Sequence, residues 1–178
     1  MSIAHQNIFF LGQGLRLLGD LDDGIYGSRG PCGQSSAGAH MRHVLDCYRC
    51  FLGGLEGGRI DYDARQRNPQ VETDRGVAAE AIRDIVRRLE LIEDDLFEHP
   101  LQVQVDAAAW NQGDQLWSGS TVARELQFLL SHTVHHYALV AVALRSLGFE
   151  PGDDFGIAPS TLAHRQAQEN ALAATCGG

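Results

Sequence analysis

His132 and His136 stand four residues apart in Ser131-His132-Thr133-Val134-His135-His136-Tyr137, within a long segment of helical pattern. Residues at that spacing share a helix face, so both imidazoles can aim at one point. His43, in another segment of helical pattern, offers a third nitrogen. Three neutral imidazoles on a divalent metal leave a coordination position open, which suits activation of a water or a thiol. Imidazole favours zinc, nickel, copper or iron over magnesium or calcium. His135 points about 100° away from His136 and is expected at the rim.

In the segment carrying His43, the residues His43, Cys47 and Cys50 fall on one face, flanked by His40 and Asp46. Two arrangements fit this spacing. Either His43 alone binds the metal, or thiolates join it. Cys47, one turn below His43, is a candidate for lining the pocket or for a fourth ligand. Cys50 reads as a small buried apolar residue, the common state of a free thiol. A third arrangement has no metal: an unpaired buried imidazole is costly, so hydrogen-bond acceptors alone would have to satisfy the histidines. Asp46 can either back the site's ligands or face solvent, and the solvent-facing placement is the one expected. Asp46 and His40 are the nearest candidate general bases, and no catalytic residue is assigned. Tyr48 and Tyr137 read as core or rim aromatics.

These side chains need helices to carry them. Ile8 to Leu21 is apolar-rich and helical in pattern, and a Gly/Pro-rich loop follows to Gly33. Ser35 or Ser36 can cap the next helix, whose run to about Leu52 is stopped by Gly53-Gly54. Glu56 to Asp74 reads as a polar connection. Thr73 or Asp74 then starts a third helix with apolar Ala78, Ile82, Ile85, Leu89, Ile92 and Leu96 in heptad-like steps, ended by His99-Pro100. Leu101 to Val105 alternates with period two, Asn111 to Asp114 is turn-like, and Gln115 to Ser118 can return as a second strand. Ser120 or Thr121 caps the last long helix, which runs to Leu147 before Gly148. Its stripe Glu125-Leu129-His132-His136-Leu139-Ala143 is expected to face the interior. A short helix from Ser160 to about Ala173 completes the reading. The fold class expected is all-α, a four-helix bundle with a small β-hairpin between the third and fourth long helices. It forms one domain over 1–178, with a core at about 8–162 and a tail at 163–178. Metal sites in such bundles are built from facing helices.

The 178 residues suffice for one real core. All 14 basic residues are arginine, so a lysine Schiff base is excluded. A net charge of −9 with no arginine run disfavours binding to a nucleic acid backbone. No stretch is apolar enough to span a membrane, and Met1 to Asn7 has no basic segment of the kind that opens a secretory signal. A cytoplasmic location is expected, where the four cysteines stay reduced.

The stretches Gly38-Ala39-His40-Met41-Arg42-His43-Val44-Leu45-Asp46 and Leu130-Ser131-His132-Thr133-Val134-His135-His136-Tyr137-Ala138-Leu139 resemble the two metal-binding motifs of the DinB/YfiT-like family. Gly58 to Arg65 and Phe155 to Leu162 are similar to a subgroup of it, and the resemblance covers roughly Leu15 to Leu162. It implies a four-helix bundle with a central divalent metal, often zinc or nickel, held by His43, His132 and His136. It also implies dimerisation through helix packing. The activities it implies are varied: S-transfer with low-molecular-weight thiols, maleylpyruvate isomerisation and metal-dependent hydrolysis. One departure stands out, because the position of Cys47 is commonly histidine in the subgroup. The function expected is a metal-dependent enzyme acting on a small-molecule substrate or thiol, as a homodimer. The alternative is a non-catalytic, metal-stabilised dimerisation or ligand-binding module.

Overall fold

The computed structural model describes residues 2–30, 33, 35–104 and 117–176. Four long helices form the bundle: α1 (Ile3–Asp20), α3 (Ala37–Gly54), α5 (Arg75–Glu90) and α6 (Val122–Ser146). Each of α1 and α3 packs on both α5 and α6, which closes a square around one apolar core. Short helices α2 (Asp23–Gly27) and α4 (Pro69–Thr73) sit in the connections, and α7 (Pro159–Cys176) follows the bundle. No helix among the described residues is long and apolar enough to cross a membrane.

Local chemistry sets the helix starts. The side chains of Ser2, Ser36, Asp74 and Thr121 each accept a backbone N–H from the first turn of α1, α3, α5 and α6. The first helix therefore begins five residues before the expected Ile8. Ser120 is not the cap of α6, because its hydroxyl donates to Glu125 instead.

The end of α5 differs from expectation. It stops at Glu90, and Asp94–Leu96 forms a separate 3-10 turn well before Pro100. Glu93, Asp94 and Asp95 would have placed three negative charges at a helix C-terminus, which already carries partial negative charge. Leu96, expected on the buried stripe, is exposed, whereas Ile92 still packs against the core.

The hairpin is present as β2 (Pro100–Gln104) antiparallel to β3 (Ser118–Thr121), with Leu101 opposite Ser120. Its return strand starts at Ser118, where the expected one ended. The expected turn at Asn111–Asp114 lies outside the described residues. A third strand, β1 (Arg59–Asp61), pairs in parallel with β2 in the order β1-β2-β3. It comes from the segment expected to be a polar connection. Ile60, fully buried, is the apolar residue that seats it.

This small sheet is tied to α6. Glu125 is buried and accepts the Tyr62 hydroxyl at 2.9 Å as well as that of Ser120. At the far end of the strap that runs from β1 to α4, Gly38 lets α4 approach α3: a Cβ there would strike the carbonyl of Glu72. Glu72 is thereby placed to receive Arg42 of α3 at 3.0 Å.

Candidate metal centre

The histidines lie on the flanks of α3 and α6, where these two helices face each other. On α6 the interior is formed by Leu126, Leu129, Leu130, Thr133, Tyr137, Val140 and Leu144. Glu125, Leu129 and Ala143 of the expected stripe are buried with them, but the buried face is centred less than one residue's 100° away. Consequently His132 and His136 are half-buried rather than interior, and Leu139 is exposed. On α3 the core side carries Met41, Val44, Leu45, Tyr48, Phe51 and Leu52. His40, His43 and Cys50 are half-buried beside it, and Cys47 is buried.

A polar network fixes the level at which the two flanks meet. Tyr48, with no exposure, donates to Asn7 Oδ1 at 2.6 Å, and Thr133 Oγ1 lies 3.2 Å from the Tyr48 hydroxyl. Asn7 donates in turn to the Leu126 carbonyl at 3.0 Å. Helices α1, α3 and α6 are thus pinned one residue away from His132. The aromatic reading of Tyr48 and Tyr137 as core residues holds, since both are fully buried.

At that level His43 Nε2 and His132 Nε2 are 2.9 Å apart. Cys47 Sγ lies 3.8 Å from His132 Nε2. The ligand atoms of His43, Cys47 and His132 all fall within 4.8 Å of one another. Two metal bonds of about 2.0–2.3 Å reach across the 2.9 Å and 3.8 Å edges at His132, so this donor set can close on a divalent transition metal. The ring of His136 packs against both histidines, with centroids 4.5 Å from His132 and 4.6 Å from His43. Its Nδ1 lies 3.0 Å from Nδ1 of His40. His40 therefore forms part of the cluster as the partner of His136. Its i−3 spacing from His43 is the signal in the sequence for that placement. His135 is exposed, as its angle on the helix requires.

Two further side chains border the cluster. Phe128 stacks on His132 with centroids 5.4 Å apart and is itself 5.3 Å from Tyr62. Arg65, from the strap after β1, directs Nη1 at Cys47 Sγ across 3.9 Å. The contacts of Tyr62 and Arg65 were not foreseen, because they join residues far apart in sequence, whereas the four-residue step from Phe128 to His132 is local to α6.

The cluster disfavours protons. Burial first, then the neighbouring His132, Arg65, Arg42 and His40, lower His43 to about 4. Burial, then His132, His43, His40 and His135, lower His136 to about 3. His40 is lowered too, by burial and by His135. At neutral pH these rings are neutral and keep lone pairs for a metal.

Asp46 is not solvent-facing. It is buried and accepts Arg42 Nη1 at 3.1 Å, while Arg42 also holds Glu72. Burial raises its pKa, with Arg42 pulling the other way. Cys50, expected as a small buried apolar residue, is half-buried: it packs against the core and lines a cleft one turn beyond Cys47. Burial, then Cys47, raises its thiol to about 11, which keeps it protonated and unreactive.

A sequence profile of the DinB superfamily matches residues 14–140. The chain belongs to the DinB superfamily. Its fold resembles the crystal structure of a DinB-like protein, YjoA, of Bacillus subtilis. The TM-score is 0.60 at 17% identity, covering 83% of this chain and 92% of that one. Among curated proteins, FK506-binding protein 5 of Rhizopus delemar is 34% identical over 109 residues, or 61% of this chain. The aligned part is 28% of that protein's length, so this DinB superfamily chain matches only a fraction of it.

Proposed function

We propose that this chain is a metal-dependent enzyme whose histidine centre binds one divalent transition metal, zinc or nickel. The metal would activate a water or a low-molecular-weight thiol for hydrolysis or S-transfer. The observation that carries this reading is the approach of His43 Nε2 to His132 Nε2 at 2.9 Å, with Cys47 Sγ at 3.8 Å, in a cluster kept neutral by burial. Two imidazole nitrogens held that close by buried helix packing need a shared proton or a shared cation, and a cation also engages the sulfur.

His43 and His132 are the pair common to every version of the site. His136 completes the three-histidine set that the family resemblance implies, and Cys47 is the other candidate for the third position. A metal there supplies charge that lowers the pKa of a bound water or thiol. The protein's own contributions are a dry inner wall, formed by the core sides of α3 and α6, and an outer side formed by half-exposed rings. His40, on His136, is the side chain best placed to orient that ring, as partners of metal-bound imidazoles do. A cytoplasmic location would keep Cys47 a reduced thiol, and a homodimer is the assembly that accompanies this reading.

One observation favours a second reading. If Cys47 and all three histidines bind together, the shell is closed, as in structural sites. The protein is then a metal-stabilised dimerisation or ligand-binding module. Metal analysis of untagged protein, followed by X-ray absorption, decides between them. About one metal per chain with an exchangeable oxygen ligand supports the enzyme. A closed shell of four protein ligands supports the module, and no bound metal refutes both.

A further inference from the structure

Beside the histidine centre, a cleft of about 830 Å³ opens along the last turns of α3 and the strap from β1 to α4. Its size is that of a small-molecule site. Arg49, Arg59 and Arg67 line it, together with Asp46, Cys50 and Asp61. The sequence holds no arginine run, and the whole chain is acidic by nine charges. The fold nevertheless gathers three guanidinium groups from a helix, a strand and a loop around one cavity.

Both acids in the cleft have partners of their own. Asp46 gives Oδ2 to Arg42, which lies outside the lining, while its buried Oδ1 has no hydrogen-bond partner among the described residues. Asp61 accepts the backbone N–H groups of Asp63 at 2.9 Å and Ala64 at 3.2 Å, which shapes the strap. The arginines are less committed. Arg59 lies over the Trp117 ring at 5.1 Å, which braces its stem without using its donors on an acid. Arg49 and Arg67 form no ion pair or hydrogen bond among the described residues, although the charge of Arg49 acts on Asp46. A guanidinium presents a fork of donors matched to the two oxygens of a carboxylate or phosphate.

The cleft also has a fixed relation to the candidate metal. His43, Cys47 and Cys50 succeed one another along one face of α3, and Cys50 lines the cleft. Seven residues of helix from His43 to Cys50 span about 10 Å. Arg65, between the lining residues Ala64 and Gln66, touches Cys47 at the boundary of the two sites.

We propose that this cleft binds the oxyanion end, carboxylate or phosphate, of a small molecule whose reactive end reaches the histidine centre. Arg49 and Arg67 are its binding side chains. The cleft stands on its own geometry; only the bridging to the centre rests on the metal reading above.

The test is arginine side-chain NMR on the full chain. Succinate and inorganic phosphate are titrated separately into metal-free protein. The Arg49 and Arg67 signals should shift with a saturable response, while those of Arg83 and Arg87, paired on the outer face of α5, should not. R49Q/R67Q should weaken the better anion at least tenfold and leave zinc content unchanged. Preference for succinate identifies the ligand end as carboxylate, and preference for phosphate as phosphate. Equal shifts at Arg83 and Arg87, or unchanged affinity in R49Q/R67Q, overturn the cleft. Bridging is read with glutathione, which carries two carboxylates and a thiol. Zinc loading should tighten glutathione at least tenfold and leave S-methylglutathione unchanged. If zinc binds yet glutathione gains nothing, bridging is overturned. If zinc does not bind at all, the metal reading fails with it, while the anion titration still decides the cleft.

Discussion

His132 is the node of the candidate centre, because its Nε2 touches both His43 Nε2 at 2.9 Å and Cys47 Sγ at 3.8 Å. His132→Ala removes both contacts and keeps a strong helix former in α6. A metal that binds only the folded state stabilises it by RT ln(1 + [L]/Kd), about 2.7 kcal/mol at one hundred times Kd. For a chain of this size each kcal/mol moves Tm by about 2–4 °C, so zinc should raise Tm by about 5–11 °C. The assay is scanning calorimetry on untagged protein, stripped with chelator and then reloaded. The quantity compared is the increment on loading, so the packing that His132→Ala loses against Phe128 cancels out. The original protein should show the full increment, and the variant should show less than about 1 °C. His135→Ala, an exposed neighbour on the same helix, should keep it. An undiminished increment in His132→Ala would refute the convergence of ligands at this point.

Three further outcomes are expected. Cobalt-loaded protein should show sulfur-to-metal charge-transfer absorption that Cys47→Ser abolishes; full cobalt occupancy without that band would leave His136 as the third ligand. Metal-free protein should lose stability as pH falls below about 6.5, the ordinary histidine value. In that window the unfolded chain takes up protons, whereas folded His43 and His136 resist them until about 4 and about 3. A denaturant midpoint that stays flat from neutral pH to 4 would contradict this, and His136→Ala should shrink the slope. Light scattering at tens of micromolar should report a dimer, roughly the range in which a micromolar association is populated, and a monomer would remove the homodimer.

The elements that carry the site were legible where their signals are local. Ser36 and Thr121 mark the starts of α3 and α6, and the four-residue step from His132 to His136 needs only helix geometry. What escaped was non-local. Strand β1 is three residues long, and its partners lie some forty positions away at Gln102–Gln104, so no pattern within Arg59–Asp61 marks it. Asn7 reads as the last of three polar residues, His5-Gln6-Asn7, before the apolar run from Ile8. Its role appears only when Tyr48 and the Leu126 carbonyl arrive from two other helices. That network supplies the fifth prediction. Tyr48→Phe leaves Asn7 Oδ1 buried without its donor, which costs about 1–3 kcal/mol. Urea unfolding measures it, and a change within error would mean that water or another donor fills the gap.

The phase of α6 explains why the centre can be reached. Two stripes compete along this helix, one through His132 and His136, the other through Leu130, Thr133, Tyr137 and Leu144. Both are rich enough in apolar residues to face the core, and sequence periodicity cannot separate stripes less than one residue apart. Bulk decides: Tyr137 buries more apolar surface than His136, so the helix turns it inward, while Leu129 and Ala143 stay buried beside it. The histidines are carried, by less than one residue's 100°, onto the flank, where they meet the equivalent flank of α3. An interior site would have filled every side of the metal with packed side chains. On the flank, Cys47 and the core close one side, and the exposed edges of His40 and His136 leave the other to incoming molecules. On the proposed metal reading, metal loss and fold loss are expected to be separable: variants of the histidines should empty the centre while the bundle, held by Tyr48, Leu126 and Tyr137, stays folded.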